Sequence, residues 1–322
     1  MTDPRVLRHV VEAIAPASAA HGAAAGRHVA AANAPLLDRL AVALGGAQHT
    51  ARPRAAGRTI AVCAGDHGAG DPGIALGAAH PTVVAAHAIA SGQAALVHVA
   101  RTGSASIVLI DAGTREAAAR PASAVVLGGR PSRDLRAGPA MAIADVAAAL
   151  EAGIALAVSL TEHGLDLIAV GALGVGAELA AAALLGAATG AASTGLGDAG
   201  AEAAGARGAA LAGAAPLDLL AAFGGPETCV LAGLMLAAAS THIPVILDGY
   251  ATGAAALAAA AFTPHVTGYL IAAHAGSFLQ PQILAHLGLH PIFDVGLGHG
   301  EGTGAAMILP LIDQVTALAS RG

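Results

Sequence analysis

Short apolar runs, often rich in β-branched residues, occur at 59–64, 106–110, 165–170, 243–247, 268–272 and 291–295. They show little period-2 alternation, the pattern of strands buried on both faces of a parallel sheet. Alanine-rich stretches long enough for crossover helices separate most of them, at 82–100, 140–163, 178–188, 227–240 and 251–261. Strands alternating with helices predict an α/β, doubly wound fold with a mainly parallel sheet and helices on both faces. Helix-like stretches at 4–14 and 305–319 fall outside that alternation. They predict a small helical subdomain built from the chain ends, residues 1–57 and 305–322, beside a large α/β domain over 58–304. The segment 115–139, rich in arginine, proline and glycine without a clean period, reads as a surface excursion.

The strand exits carry the polar residues. The first run ends in Ala64-Gly65-Asp66-His67-Gly68 and the second in Asp111-Ala112-Gly113-Thr114. The third gives Gly171-Ala172-Leu173-Gly174-Val175-Gly176 and the fourth Asp248-Gly249-Tyr250, while the fifth exits at His274. The last leads through Asp294 to Gly300-Glu301-Gly302-Thr303-Gly304. Active sites of doubly wound folds gather at such carboxyl ends. In the last loop, glycines on both sides of Glu301 allow close backbone approach to a ligand and leave the acid accessible. Two readings stand there: a general base or ligand anchor, or a helix N-terminal acid satisfying its own amides. The loop at 171–176 likewise reads either as an anion-binding turn or as a plain strand-to-helix connection. Asp66 and His67, adjacent in extended backbone, point to opposite faces and suit orientation of a substrate or loop better than one shared metal. Asp248 and His274 are read as loop-bonding or catalytic residues.

Composition narrows the classes. Of the 322 residues, 56% are hydrophobic and 2% aromatic, so the core must gain density from small side chains and close backbones. A net charge of −6 without a basic cluster excludes a nucleic-acid footprint. The mean hydropathy is +0.69, yet the charge-free stretches are alanine and glycine rather than leucine and isoleucine, so no membrane span is expected. Cys63 and Cys229 read as buried free thiols of a reducing cytosol, and the start lacks a signal-peptide pattern, so a cytoplasmic location is expected. The scattered histidines form no metal-binding motif.

Longer motifs identify a resemblance. Phe223-Gly224-Gly225-Pro226-Glu227, Ala232-Gly233, 243–250 and 269–274 resemble, in order, the GG-x-E, A-G, PVVLDGF and YLIAxH segments of the nicotinate-nucleotide:dimethylbenzimidazole phosphoribosyltransferases. Residues 287–294 and 300–306 resemble that family's LGLxPLLD and GEGTGAA, and Ala64-Gly65-Asp66-His67-Gly68 is similar to its ADHG. The resemblance implies transfer of phosphoribose from nicotinate mononucleotide to 5,6-dimethylbenzimidazole, a step in assembling the lower ligand of vitamin B12. It implies no cofactor or metal and usually a homodimer, with a heteromer conceivable. Glu301 is then the general base. The implied substrate contacts are Asp66, His67, Gly174, Gly176, Thr194, Gly195, Asp198, Asp248, His274, Gly300, Gly302 and Thr303.

The chain also departs from the pattern. The family's GEMGIGNTT reads Gly171-Ala172-Leu173-Gly174-Val175-Gly176-Ala177-Glu178-Leu179, without its acid and its Asn-Thr-Thr. Its GRGTGLDDAG reads 191–200, and no lysine stands at the matching position downstream. Its GVS reads Gly73-Ile74-Ala75, and no Gln-Met pair is evident between Pro81 and Gly92. Weak binding of nicotinate mononucleotide is therefore expected. A non-catalytic or substrate-altered paralogue that binds a base or nucleoside is the alternative, though retention of Glu301 favours an enzyme.

Overall fold

The computed structural model describes residues 4–30, 33–70, 73–192, 198–276, 279–294, 296–297 and 300–321. Its sheet contains β1 (Arg58–Gly65), β2 (Ser106–Gly113), β3 (Val125–Val126), β4 (Leu167–Leu173), β5 (Val245–Leu247) and β6 (Leu270–Ala272). The spatial order is β3-β2-β1-β4-β5-β6 and every pairing is parallel. The order reverses beside β1, so the loops leaving β1 and β4 diverge and open a crevice between them.

Helices α1 (Pro4–Ala13), α2 (Ala19–Val29) and α3 (Pro35–Ala47) precede β1, and α4 (Pro81–Ala90) and α5 (Ala95–Thr102) link β1 to β2. Helix α6 (Ile143–Glu162) crosses from β3 to β4. Between β4 and β5 run α7 (Ala177–Thr189), α8 (Ala199–Ala209), α9 (Pro216–Phe223) and α10 (Pro226–Ser240). Helix α11 (Gly249–Phe262) joins β5 to β6, and α12 (Leu279–Leu287), α13 (Thr303–Met307) and α14 (Leu309–Ala319) close the chain.

Alternate strand residues feed two separate cores. Ala61, Cys63, Ile168, Val170, Val245 and Leu247 face one cluster, with α1, α6, α7, α9, α10, α11 and α12. Ile60, Val62, Ala64, Leu167, Ala169 and Ile246 face the other, with α2, α3, α4, α5, α13 and α14. Burial on both sides explains why the strands read as unbroken apolar runs. Helix α14 packs on α2 and α3 in the second core, whereas α1 lies across α6 and α10 on the opposite face.

Two expectations need correction. Residues 291–294 do not form a sixth long strand, residue 295 lying outside the described residues: Phe293 makes a single bridge to His274, and the edge strand on the other side is the two-residue β3, within the segment read as a surface excursion. The helix expected over 82–100 is broken into α4 and α5. Gly92 adopts φ +80°, and the Gln93 and Ala94 amides turn back to the Ala88 carbonyl. Helix α6 is long and apolar enough by composition to cross a membrane, as is the broken α4–α5 stretch. Both are crossover connections of the sheet, and one or two such helices are weak grounds for a membrane reading.

Candidate functional site

A cavity of about 310 Å³ lies at the carboxyl ends of β1 and β4, where the strand order reverses. Pro81, Thr82 and Ala85 of α4, residues Ala172, Leu173, Gly174, Val175 and Ala177, then Glu227, Tyr250, Ala251, Gly300 and Glu301 line it. Its volume is in the range of small-ligand pockets.

Glu301 reaches this cavity because its loop is clamped from beneath. Asp248, at the exit of β5 and fully buried, accepts from the amides of Gly302 (2.6 Å) and Gly304 (3.1 Å) through Oδ2. Its Oδ1 lies 2.5 Å from Nε2 of buried His274. The loop also joins β4, since the Ala172 amide donates to the Gly300 carbonyl at 2.8 Å. A side chain at Gly171 would collide with the Glu301 backbone, so the first glycine of the β4 exit makes room for the acid's loop. Gly302 adopts φ +104°, a conformation other residues enter at a cost. Two of the amides after Glu301, those of Gly302 and Gly304, are thus held by Asp248, and α13 has no side-chain cap, which weighs against the reading of Glu301 as its own helix cap. The Glu301 carboxylate is half-buried, lines the cavity and accepts no hydrogen bond from the described residues.

Asp66 plays the matching part at the β1 exit. Its Oδ1 accepts from Thr82 Oγ1 (2.6 Å) and the Val175 amide (3.1 Å), and its Oδ2 from the Arg115 amide (2.7 Å). One buried carboxylate therefore joins the exits of β1, β2 and β4 to the start of α4. Charge-assisted hydrogen bonds of this kind contribute roughly 1.5–3 kcal/mol each.

His67 and Glu227 form a buried pair, Nε2 to Oε1 at 2.9 Å. Burial opposes both charges, but each partner outweighs it for the other. The charge and hydrogen bond of Glu227 raise the His67 pKa, while His67, with help from Thr228, holds the Glu227 carboxyl below its usual range. Glu227 lines the cavity, while its Oε2 is buried without a partner beside Gly65 and Gly225, where a side chain would collide with it. The pair was not legible as such: the GG-x-E segment marked Glu227, but only the fold brings it to His67.

Of the remaining expected contacts, Gly174 and Gly300 line the cavity, Gly176 caps α7 with φ +83°, and Thr303 opens α13. Asp198 caps α8, accepting from the Ala201 amide at 2.7 Å, and is not among the described lining residues. Thr194 and Gly195 lie outside the described residues. Asp66, Asp248 and His274 are buried and bonded to loops, so they shape the site from behind. Pro81, Thr82 and Ala85 join it from the start of α4, in the segment where the family's Gln-Met pair is not evident. Among the described residues no group of three or more His, Cys, Asp or Glu is placed to hold a metal ion.

A family profile described as "Phosphoribosyltransferase" matches residues 14–321. The nicotinate-nucleotide–dimethylbenzimidazole phosphoribosyltransferase of Desulforudis audaxviator is 34% identical over 301 residues, covering 88% of this chain and 84% of that one. Its counterpart from Deinococcus radiodurans is 35% identical, with 86% and 81% covered. The crystal structure of CobT from Thermus thermophilus superposes with a TM-score of 0.78 at 30% identity, over 90% of this chain and 91% of that one.

Proposed function

The chain belongs to the nicotinate-nucleotide–dimethylbenzimidazole phosphoribosyltransferase family, and from that membership we propose that it transfers phosphoribose from nicotinate mononucleotide to 5,6-dimethylbenzimidazole, giving the α-ribotide and nicotinate. The observation that carries this reading is the free Glu301 carboxylate at the cavity, on a loop two of whose amides are held by Asp248.

The chemistry follows from that placement. One ring nitrogen of the base attacks the anomeric carbon from the face opposite nicotinate. The new C–N bond forms as the bond to the pyridinium nitrogen breaks, and nicotinate leaves with that electron pair. The anomeric configuration inverts. As the attacking nitrogen bonds, the N–H of the other ring nitrogen becomes acidic, and a carboxylate within about 3 Å removes its proton. Glu301 is that base. The cavity holds acceptor and donor together, which supplies much of the remaining acceleration. Because Glu301 accepts no bond from the described residues, its oxygens are free to receive the azole proton. Glu301→Gln is expected to lower kcat by at least about 10²-fold with unchanged thermal unfolding. Equal turnover in the variant removes Glu301 from the mechanism.

The same proposal includes a homodimer. Val84 of α4 is 54% exposed, and Ile143 and Val158 of α6 are 52% and 42% exposed. Val84 lies on the opposite face of the sheet from Ile143 and Val158, so the dimer rests on the family resemblance and on the twofold pair being the commonest arrangement, with the exposed side chains of α6 as one face available to it. A cytoplasmic location and a terminal helical subdomain over 1–57 and 305–322 complete the proposal. The packing of α14 on α2 and α3 supports the latter, and α1 on the opposite face weighs against including every terminal helix.

A further inference from the structure

Resting on the transfer reading above, we propose that Tyr250 is the side chain that donates a hydrogen bond to the phosphate of nicotinate mononucleotide, and so sets how well this protein holds its donor.

A phosphate at neutral pH is chiefly an acceptor of hydrogen bonds, so its partners are donors or cations. None of the described lining residues is an arginine or a lysine. The side chains of Glu227 and Glu301 are acceptors, and all the other lining residues but two are glycine, alanine, proline, valine or leucine. The two are Thr82 and Tyr250. Thr82 Oγ1 already donates to Asp66 Oδ1 at 2.6 Å. Tyr250 makes no hydrogen bond with the described residues, and its hydroxyl is not sealed from solvent as Glu227 Oε2 is. Among the described lining residues, Tyr250 is therefore the one side-chain donor still open to a ligand.

Its position suits the phosphate end of the donor. A side chain at Gly300 would meet the Gly249 Cα at 3.4 Å, so Tyr250, in the first turn of α11, starts beside the Glu301 loop. The carboxylates that act on its hydroxyl are Glu178 in the first turn of α7 and Glu227 in the first turn of α10, and α11 packs on both helices. The ring thus reaches from the Glu301 loop toward those two helix starts. With the anomeric carbon facing the base that Glu301 deprotonates, the 5′-phosphate lies on the far side of the ribose, toward the hydroxyl.

The surroundings keep the phenol a donor. Burial first, then Glu178 and Glu227, push its pKa up to about 12, so it stays protonated through the neutral range. Glu227 is paired with His67, whose pKa that contact raises, so the charge of the wall acid is matched. Glu178 is not among the described lining residues, and α7 starts without a side-chain cap, which leaves its first amides to share the phosphate. The family's PVVLDGF ends in phenylalanine where this chain has Tyr250, and its Asn-Thr-Thr is replaced by Ala177-Glu178-Leu179. A hydroxyl gained at the start of α11 offsets donors lost at the start of α7.

Tyr250→Phe keeps the ring and removes only the hydroxyl. Nicotinate release is measured for both proteins with nicotinate mononucleotide and 5,6-dimethylbenzimidazole, and again with inorganic phosphate as an inhibitor. The variant is expected to raise KM for the mononucleotide at least about tenfold, as for one lost hydrogen bond to a charged group, with kcat within about twofold and KM for the base unchanged. Phosphate is expected to compete with the mononucleotide in the wild type and to inhibit the variant more weakly. An unmoved KM for the mononucleotide overturns the inference and leaves the transfer reading intact. A shift confined to the KM of the base, or phosphate inhibition absent from the wild type or equal in the two proteins, overturns the phosphate contact as well. No nicotinate release by the wild type overturns the transfer reading, and this inference with it.

Discussion

Replacing Asp248 tests whether the Glu301 loop is held by the carboxylate beneath it. Asp248 is fully buried and serves three partners: the Gly302 amide at 2.6 Å, the Gly304 amide at 3.1 Å and His274 Nε2 at 2.5 Å. Asn at this position keeps one oxygen for the two loop amides and turns an NH₂ toward His274, which must then present an unprotonated Nε2. That tautomer carries its proton on Nδ1, which is buried without a partner. Asp248→Asn therefore weakens the charge-assisted bonds and is expected to cost about 2–3 kcal/mol. Asp248→Ala removes every acceptor and leaves two amides and an imidazole unpaired, a loss of about 3–5 kcal/mol. Either is a large share of the roughly 5–15 kcal/mol that holds a typical domain together.

The catalytic consequence is separable from the loss of stability. A loop free to shift by an ångström moves Glu301 away from the azole N–H, and such a displacement costs about 10²-fold in rate. The expected result is a fall in kcat larger than any rise in KM, in the order Ala worse than Asn, measured at a temperature where both variants remain folded. Denaturant unfolding gives the stability and steady-state nicotinate release gives the rate. An Asp248→Ala protein that is folded and turns over at the wild-type kcat would refute the clamp.

Two further outcomes follow from features away from the cavity. His49 and His242 stack with centroids 4.0 Å apart, and burial first, then His49, lowers the His242 pKa below 6.5. The unfolded chain then takes the proton first as the pH falls below 6.5, so folded-state stability is lost in that window and is regained above it. His242→Asn, which suits the φ of +60° there, is expected to flatten the acid side of a Tm-versus-pH curve, whereas an unchanged slope removes His242 from the linkage. Light scattering at micromolar concentration is expected to give twice the chain mass of 30.7 kDa, and a monomer mass contradicts the proposed pair.

The layered fold was legible because its strands are buried on both faces and end in Asp, His or Gly. Residues 59–64 and 106–110 lie inside β1 and β2 for that reason. Five helices went unread: α2, α3, α8, α9 and α12. In α2 and α8 alanine and glycine fill both the buried and the exposed positions, so no period separates the faces. The short β3 offers only two residues, too few for a pattern. At the site, Glu301 was legible from its glycine loop and its motif. Asp66, Asp248 and His274 were read as orienting, loop-bonding or catalytic residues, but which loops they hold was not legible, because a strand-exit acid looks the same whether it faces a ligand or bonds the next loop. That distinction depends on which backbone amides the fold brings near. Asp248 and the loop amides it holds lie more than fifty residues apart in sequence.

The measurement that bears most directly on the account is product formation by the purified chain. The protein is incubated with 5,6-dimethylbenzimidazole and nicotinate mononucleotide, and both nicotinate and the ribosylated base are quantified by chromatography and mass spectrometry. The account predicts that nicotinate is released in a one-to-one ratio with the α-configured benzimidazole ribotide, only when the base is present, and that Glu301→Gln loses this product. Nicotinate release without a ribosylated base, or no release at all, would contradict it.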